Sequence, residues 1–456
     1  MTARDTTAAM APRKPLLQRA FNSSSALVGS VIVQAVLRFG SNLILTRLLY
    51  PEAFGVVLVI TSVTYVMALL AETGIPAFLV RTKPALERRY YDTLWTVQVL
   101  RGAVLAVALA LLAGPIAGWL GKPALELPLR AASVIFFLDG LKSLAPLRER
   151  RNRRDWHNSL TEMGTYALQL PIIIGLAAWL ESYWALIYGM IIGAALTSAS
   201  TYIFYGSSWH RPRLDGAVVK ELWIFSRFLA ASSVITIVLN QFDKFFIAGN
   251  MSLAIAGLYN MAWSLAFVAD GLVRSYSHRI FYAELAHSLE GSELSRAAYY
   301  RPMRRMRPLL AFACAGGITF GETFFAIAFD DRYLEAGAMF AILSFRPLLA
   351  LFARPGENAM LAIGRPRTKF VSDVLKLAWL IGTALIGYNL YGVYGLIWAT
   401  ALVDIPAVLY FSVLLRKAGT FSLREEVWTL LFVAVGLGCG AVGTWVWEGT
   451  HRAALY

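Results

Sequence analysis

The sequence places ionisable side chains inside long apolar segments, where an unpaired charge is costly. Arg38 is the most isolated of them, because no carboxylate lies within four residues on either side. A guanidinium presents forked donors that suit the oxygens of a phosphate-type anion. Ser30, Gln34 and Ser41 add a polar stripe at helical spacing, as expected of a helix that faces a wet cavity. We therefore expect Arg38 to contact an anion; the alternatives are a tertiary salt bridge or a side chain that reaches the membrane surface.

Other charged residues inside apolar segments are further candidates. Three cations rank next as anion contacts: Arg346, Arg274 and Lys244. Residues three or four apart share a helix face, so they can pair. This spacing predicts three ion pairs: Asp270 with Arg274, Arg354 with Glu357, and Asp373 with Lys376. Each pair is either a neutralised structural element or a direct contact with a substrate.

The composition requires a membrane around these residues. Hydrophobic residues make up 58% of the 456 residues and charged residues only 15%, with a mean hydropathy of +0.58. A soluble enzyme is therefore excluded. Apolar windows of ~20 residues predict an all-α polytopic protein with thirteen helices. They span 22–46, 53–79, 93–120, 126–146, 159–180, 183–206, 222–248, 254–277, 308–329, 336–363, 370–389, 392–415 and 427–447.

Arg and Lys residues fill alternate loops between these helices, whereas the other loops hold only Arg47, Lys122, Arg332 and Arg452. Because cytoplasmic loops retain cations, the sequence predicts a cytoplasmic N-terminus. The net charge of +14 is spread over separate short loops, so a membrane surface explains it and nucleic-acid binding is not expected.

Metal and cofactor chemistry has no support in the sequence. The five histidines lie at or near predicted loops without metal-ligand spacing, and two cysteines are too few for a thiolate cluster. A GxxxxGK[ST] phosphate loop is missing from the sequence. We expect no metal, no cofactor and no direct use of ATP.

A weak internal repeat relates the two parts of the chain. NLILTRLLYPEAFGVV, from Asn42, aligns with KFFIAGNMSLAIAGLY, from Lys244, at an offset of 202 residues. The offset covers six helices, an even number, so the repeats enter the membrane in parallel around a pseudo-two-fold axis along its normal. A cavity is expected between them, unless the two hairpins are alike by chance. The predicted units are an N-terminal cytoplasmic segment (1–21), an N-lobe (22–206), a cytoplasmic linker (207–221), a C-lobe (222–416) and an extra C-terminal helix with its tail (417–456).

The same offset makes Glu72 and Arg274 equivalent, which suggests that they face each other as a gate. Asp270, Asp243 and Asp139 are further candidates for a gate or for coupling transport to protons. Reversing both charges of the Glu72–Arg274 pair is expected to restore transport lost in either single variant.

Two stretches resemble a known family. LILTRLLYPEAFGVVLVITSVTYVMALLAETGIPAFLVRTK resembles the first helical hairpin of the polysaccharide transport family, which contains Wzx-type O-antigen and exopolysaccharide flippases. NAMLAIGRPRTKF resembles that family's cytoplasmic Gly-Arg-Pro turn, and the hydropathy profile agrees across 20–416. The superfamily also holds lipid II flippases and multidrug and toxin extruders. Members commonly have twelve or fourteen spans, so thirteen departs from the family.

The resemblance implies a two-lobed bundle that works by alternating access on an oligosaccharide linked through pyrophosphate to undecaprenol. The expected function is an inner-membrane flippase that delivers this substrate to the periplasmic leaflet for exopolysaccharide, O-antigen or capsule assembly. A polysaccharide polymerase and chain-length proteins are the expected partners. Arg38 would then contact the pyrophosphate, while Asn240 and Gln241 would bind sugar hydroxyls.

Two alternatives remain open. A multidrug cation antiporter of the same superfamily would present unpaired carboxylates to its cavity. A membrane glycosyltransferase or polymerase would be expected to have a sizeable external loop with catalytic residues, and the external loops here are short. The sequence therefore favours a carrier over an enzyme.

Overall fold

A computed structural model describes residues 24–453 except 82–86, 152–154, 207–208, 283–284 and 286–293. This part of the chain is helical and contains no β-strand. Its α-helices, in chain order, are α1 (Ser24–Leu48), α2 (Pro51–Leu70), α3 (Ile75–Arg81), α4 (Arg88–Trp119), α5 (Glu126–Ala132), α6 (Val134–Gly140), α7 (Ala145–Arg151), α8 (Asp155–Leu180), α9 (Trp184–Ile203), α10 (Gly216–Asn250), α11 (Leu253–Ser275), α12 (Arg296–Tyr300), α13 (Met303–Ala328), α14 (Leu334–Leu343), α15 (Phe345–Ala362), α16 (Arg367–Ala401), α17 (Ile405–Lys417) and α18 (Leu423–Ala453). Among the described residues, nine helical stretches are long and apolar enough to cross a membrane, which confirms the predicted all-α polytopic fold.

Several predicted spans differ from the helices observed. Segment 53–79 contains both α2 and α3, because the chain turns between them with Gly74 at a φ of 64°. Conversely, α16 continues across the predicted boundary at 389–392, with Gly392 at a φ of 59° as its non-helical residue. Glycine adopts positive φ without steric cost, so it permits either a turn or a sharp bend inside a helix.

Helices α2 and α11 cross at the interface of the two halves. A Cβ atom added to Gly55 would lie 2.0 Å from the carbonyl oxygen of Leu253, and one added to Gly257 would lie 1.7 Å from that of Pro51. Gly55 and Gly257 are 202 positions apart, as are Pro51 and Leu253. The contact is therefore self-complementary, as a two-fold axis requires. The two-lobed, pseudo-two-fold arrangement expected from the repeat is thus seen directly at this crossing.

The largest buried cluster surrounds this crossing and combines both halves. Leu49 and Leu58 lie within it, together with Tyr259 and Tyr333 of the second half. The hydroxyl of Tyr333 donates to the carbonyl of Leu49 at 2.8 Å. The halves are therefore joined firmly at the side of the molecule where α2 and α11 begin.

The opposite side carries most of the loop cations, and we call it the cation-rich side. Helices α4, α10 and α16 begin there, and its described loops and helix ends hold Arg88, Arg148, Arg211, Arg365 and Arg416, among others. The N-terminal segment 1–21, predicted to lie on the same side, is outside the described residues.

The linker between the halves is fixed to the first half through His210. Its fully buried ring stacks on Trp95 at a centroid distance of 5.2 Å and lies 4.7 Å from the ring of Tyr91. The backbone N–H of Leu144 donates to Nε2 at 3.2 Å. Burial lowers the pKa of His210 to about 4, so the ring is neutral at physiological pH and can accept this bond.

The extra C-terminal helix α18 packs along α13. A Cβ atom on Gly436 would lie 2.5 Å from the carbonyl oxygen of Phe312, and one on Gly440 would lie 2.1 Å from the hydroxyl of Thr319. Small residues let the two helix backbones approach closely, as in other membrane helix pairs.

Candidate substrate cavity

A cavity of about 520 Å³ lies between the two halves. Helices α1, α2, α8 and α9 supply one wall, and α10 and α11 supply the other. Its lining along α11 starts at Asn260, close to the α2–α11 crossing, and reaches Arg274. At ~1.5 Å of rise per residue this is about 21 Å of helix, directed towards the cation-rich side. The cavity therefore extends from the crossing towards that side.

Arg38 lies on the first-half wall of this cavity. Its side chain is exposed and makes no hydrogen bond or ion pair with any residue that the structure describes. Ser41 donates its hydroxyl to the backbone carbonyl of Arg38 at 2.8 Å and also lines the cavity, whereas Gln34 is half-buried. The side chain of Ser30 is outside the described residues. The guanidinium donors of Arg38 thus face the cavity without an acceptor among the described residues.

The second-half wall holds Lys244, Asn240 and Gln241, all on α10. The ammonium of Lys244 lies 3.8 Å from the ring centroid of Trp263, a cation–π geometry, and the residue is only 8% exposed. Asn240 donates to the carbonyl of Thr236 at 2.8 Å. Gln241 is buried, and its Oε1 has no hydrogen-bond partner among the described residues.

A narrow recess continues from the cavity between α11 and α15. Arg346 and Arg274 line it together with Asp270. One carboxylate oxygen of Asp270 accepts from Arg274 at 2.8 Å, and the other accepts from Arg354. Arg346 contacts the side-chain oxygen of Asn240 at 3.4 Å. The predicted Asp270–Arg274 pair is confirmed, and Asp270 is shared with a second arginine.

The two other predicted pairs are wrong, because tertiary partners replace neighbours on the same helix. Arg354 contacts Asp270 instead of Glu357. Lys376 pairs with Asp404 at 2.8 Å, and Lys369 lies 2.8 Å from Glu357 and 3.2 Å from Asp373. Helix packing therefore supplies the partners of Arg354 and Lys376, whereas Asp373 keeps a partner on its own helix, Lys369.

The candidate gate and coupling residues are dispersed. In this conformation Glu72 accepts from the backbone N–H of Gly74 at 3.1 Å and forms no ion pair with Arg274 among the described residues. Asp243 is 3% exposed and accepts from the hydroxyl of Tyr259. Asp139 pairs with Lys142 at 2.6 Å in a separate cavity of the first half. Their roles stay predictions.

Several residues of α2 line the cavity but were not singled out from the sequence. Phe54, Leu58, Thr61 and Tyr65 recur every three or four positions, so they share one helix face. Aromatic and hydroxyl groups at this spacing within an apolar helix were the available signal. Apolar residues on all sides of α2 made that signal weak.

The comparison with protein families now identifies the chain. Residues 44–338, more than half of its length, match a family described as polysaccharide biosynthesis protein. The chain belongs to this family. The predicted membership in the polysaccharide transport family is therefore confirmed.

Curated relatives agree with the assignment. The lipopolysaccharide biosynthesis protein WzxC of Escherichia coli (strain K12) is 22% identical over 395 residues, which cover 85% of this chain and 79% of that protein. The teichuronic acid biosynthesis protein TuaB of Bacillus subtilis (strain 168) is 23% identical over 316 residues, which cover 67% of this chain and 63% of that protein.

Solved structures show the same fold. The lipid II flippase MurJ, in an inward closed conformation, has a TM-score of 0.69 at 13% identity, and the alignment covers 94% of this chain and 99% of that one. An inward-facing multidrug resistance MATE family transporter of the MOP superfamily has a TM-score of 0.63 at 13% identity. That alignment covers 85% of this chain and 96% of the transporter. This member of the polysaccharide biosynthesis family is thus a multi-pass membrane protein with the fold of these two solved membrane proteins.

Proposed function

We propose that the chain is a flippase for lipid-linked oligosaccharides that are precursors of surface polysaccharides. The observation that carries the proposal is the guanidinium of Arg38, which has no partner in the described part of the chain and lies in a cavity between the two halves of a polysaccharide biosynthesis family member. The substrate would be an oligosaccharide joined through pyrophosphate to undecaprenol. The names of WzxC and MurJ support this substrate class.

In this proposal Arg38 binds the pyrophosphate, because its forked donors match two phosphate oxygens and no carboxylate of the described residues competes for them. Lys244, Arg274 and Arg346 add positive potential from the opposite wall, while Asn240 and Gln241 offer amides to the sugars. The lipid tail stays in the bilayer throughout. No covalent bond has to form or break.

We propose a direction of transport from the closed end of the cavity together with the position of the loop cations. The halves are in close contact where α2 and α11 cross, and the cavity extends from there towards the cation-rich side. We propose that this side faces the cytoplasm of a bacterial inner membrane and that the substrate enters from it. Rocking of the two halves would then open the crossing and release the substrate to the periplasmic leaflet. A polymerase and chain-length proteins would use it there.

A cation antiporter is supported less well. Such a carrier needs a carboxylate that is free to bind an organic cation. The acidic residues nearest the cavity are engaged, since Asp270 contacts two arginines and Asp243 accepts from Tyr259. By contrast, the cation Arg38 forms no ion pair with any residue in the described ranges.

Gene deletion with lipid analysis tests the proposal. Cells without the chain should accumulate undecaprenyl-linked repeat units in the cytoplasmic leaflet. A wild-type copy should clear them, whereas Arg38→Ala should leave most of them in place. Arg47→Ala, at the end of the same helix and outside the cavity, is the matched control and should act as wild type. Normal clearance by Arg38→Ala, or no accumulation after deletion, would contradict the proposal.

A further inference from the structure

The first half contains a second large cavity, separate from the central one. It has a volume of about 600 Å³, within the range of small-molecule sites, and lies among α4 and α6–α9 on the cation-rich side. The two cavities share no lining residue. Helices α8 and α9 nevertheless contribute to both, since Tyr166 and Met190 face the central cavity while Thr165 and Thr197 face the second one.

Hydroxyl groups on α8 and α9 line this second cavity. Thr161, Thr165 and Thr197 each donate their proton to a carbonyl four residues earlier in the same helix, at 3.0, 2.8 and 2.8 Å. Ser200 and Thr201 donate to carbonyls three residues earlier, and the hydroxyl oxygen of Thr201 already accepts from the backbone N–H of Ser143 at 2.9 Å. A hydroxyl whose proton is used in this way keeps lone pairs that can accept. The wall therefore presents a set of acceptors to whatever occupies the cavity.

Two amides in the wall are fixed by the protein. Gln98 donates through its side-chain nitrogen to the carbonyls of Gly140 and Lys142, at 3.0 and 2.9 Å. Asn158 donates to the carbonyl of Pro146 at 3.0 Å. Because these amide donors are occupied, the wall adds few free donors to the hydroxyl acceptors.

The charged side chains that line the second cavity are two cations and two anions. Asp139 and Lys142 form an ion pair at 2.6 Å, and the other charged lining residues are Arg150 and Glu162, one of each sign. This differs from the central cavity, where Arg38 stands unpaired. Leu144 and Leu147 add apolar surface between the polar groups. A balanced wall that is rich in acceptors and has apolar patches does not select an anion, but it suits a molecule with many hydroxyl donors and C–H faces.

We propose that the second cavity binds carbohydrate: it holds the sugar part of the lipid-linked substrate before the sugar reaches Asn240 and Gln241 of the central cavity, and this assignment of the ligand rests on the proposed function. Sugar hydroxyls would donate to Thr165, Thr197 and their neighbours. The sugar would thereby be held on the cation-rich side, next to the helices that also line the central cavity.

The test measures binding of lipid-free sugar to the full-length chain purified in detergent. The probe is a repeat-unit oligosaccharide, made by partial acid hydrolysis of the source strain's own surface polysaccharide, and the method is isothermal titration calorimetry. The wild-type chain should bind it, and the double variant Thr165→Val/Thr197→Val should bind at least tenfold more weakly, because valine keeps the shape and removes the acceptors. Thr383→Val is the matched control, since Thr383 donates to the carbonyl of Trp379 in the same way but lies outside the cavity.

A second double variant distinguishes the loss of the hydroxyl acceptors from a general disturbance of folding. Thr165→Ser/Thr197→Ser keeps both hydroxyls and should bind within about threefold of wild type. No binding to the wild-type chain, equal binding by the valine variant, or an equal loss in the serine variant would overturn the sugar site. Loss of oligosaccharide binding in Arg38→Ala with the valine variant unaffected would place the sugar in the central cavity and overturn it as well.

The outcome is separable from that of the gene deletion. If cells without the chain accumulate no lipid-linked oligosaccharide but sugar binding still depends on the two threonines, the flippase proposal fails and the sugar site stands. Accumulation in cells together with threonine-independent binding refutes the sugar site alone.

Discussion

Helices α1 and α10 occupy equivalent places in the two halves and carry a cation and an amide in opposite order. Arg38 is followed one turn later by Asn42, whereas Asn240 is followed one turn later by Lys244. The 202-residue offset relates position 38 to 240 and position 42 to 244, and all four residues line the central cavity. The repeat has thus kept the polar positions and exchanged their chemistry.

The surroundings of the two cations differ more than their positions do. Arg38 is exposed and has no partner among the described residues, whereas Lys244 is buried over the ring of Trp263. The nearby cations Arg274 and Arg354 share one carboxylate, that of Asp270. The second-half wall is therefore pre-formed by internal contacts. The first-half wall leaves its charge available for a ligand.

The largest expected effect comes from removing the shared carboxylate of the second half. Asp270→Ala leaves Arg354, whose side chain is 21% exposed, without its buried carboxylate partner, whereas Arg274 is 53% exposed and stays hydrated, so unfolding free energy should fall by about 3 kcal/mol. Chemical unfolding in detergent micelles measures it. Asp139→Ala, whose carboxylate is 47% exposed in its pair with Lys142, is the control and should cost less than about 1 kcal/mol. Equal losses of unfolding free energy would show that the ion pairs of Asp270 stabilise the protein no more than the pair of Asp139 with Lys142.

A smaller loss of unfolding free energy is expected at the α2–α11 crossing, where the two halves make equivalent contacts. Gly55→Ala and Gly257→Ala each drive a methyl group into a carbonyl of the other half, and each should cost about 1–3 kcal/mol. The two losses should agree within about 0.5 kcal/mol, because the contacts are related by the pseudo-two-fold axis. Gly40→Ala, with no atom within 4 Å of the added methyl, serves as the control in the same unfolding assay. Clearly unequal losses would break the symmetry argued for the crossing.

The smallest effects on stability should distinguish the two cavity cations. Lys244→Ala removes a cation–π contact and should lower unfolding free energy by roughly 1 kcal/mol. Arg38→Ala removes no side-chain hydrogen bond or ion pair among the described residues and should stay within about 0.5 kcal/mol of wild type. Thermal unfolding of the two purified variants, side by side, makes the comparison. A loss with Arg38→Ala as large as that with Lys244→Ala would give Arg38 a structural role instead.

The sequence predicted a site residue or a repeat correctly where a residue differed in charge or size from the rest of its helix. Arg38 could be found because no acidic residue lies near it in sequence, and the repeat could be found because Gly55 and Gly257 open equivalent helices. Composition and loop charges were enough to predict a polytopic all-helical bundle. These features depend on local sequence or on its average properties.

Tertiary pairing was not predictable in the same way. Asp270 and Arg354 are 84 residues apart, so their contact depends on how α11 and α15 pack. The threonines of the second cavity could not be predicted as site residues, because threonines whose hydroxyls donate to carbonyls of their own helix are common in membrane helices. Only the arrangement of α4 and α6–α9 brings these hydroxyls around one space.

The crossing of α2 and α11 has a consequence for the motion of the halves. At Gly55 and Gly257 the hydrogen on Cα that takes the place of a side chain points at a carbonyl oxygen of the other half. Such Cα–H···O contacts are worth only about 0.5–1 kcal/mol each. Since no side chain at either glycine interlocks with the opposite helix, the two backbones can part there without any rotamer change. In the rocking motion proposed above, these two weak contacts would break and re-form, and the buried cluster around them and the bond from Tyr333 to Leu49 would have to part as well.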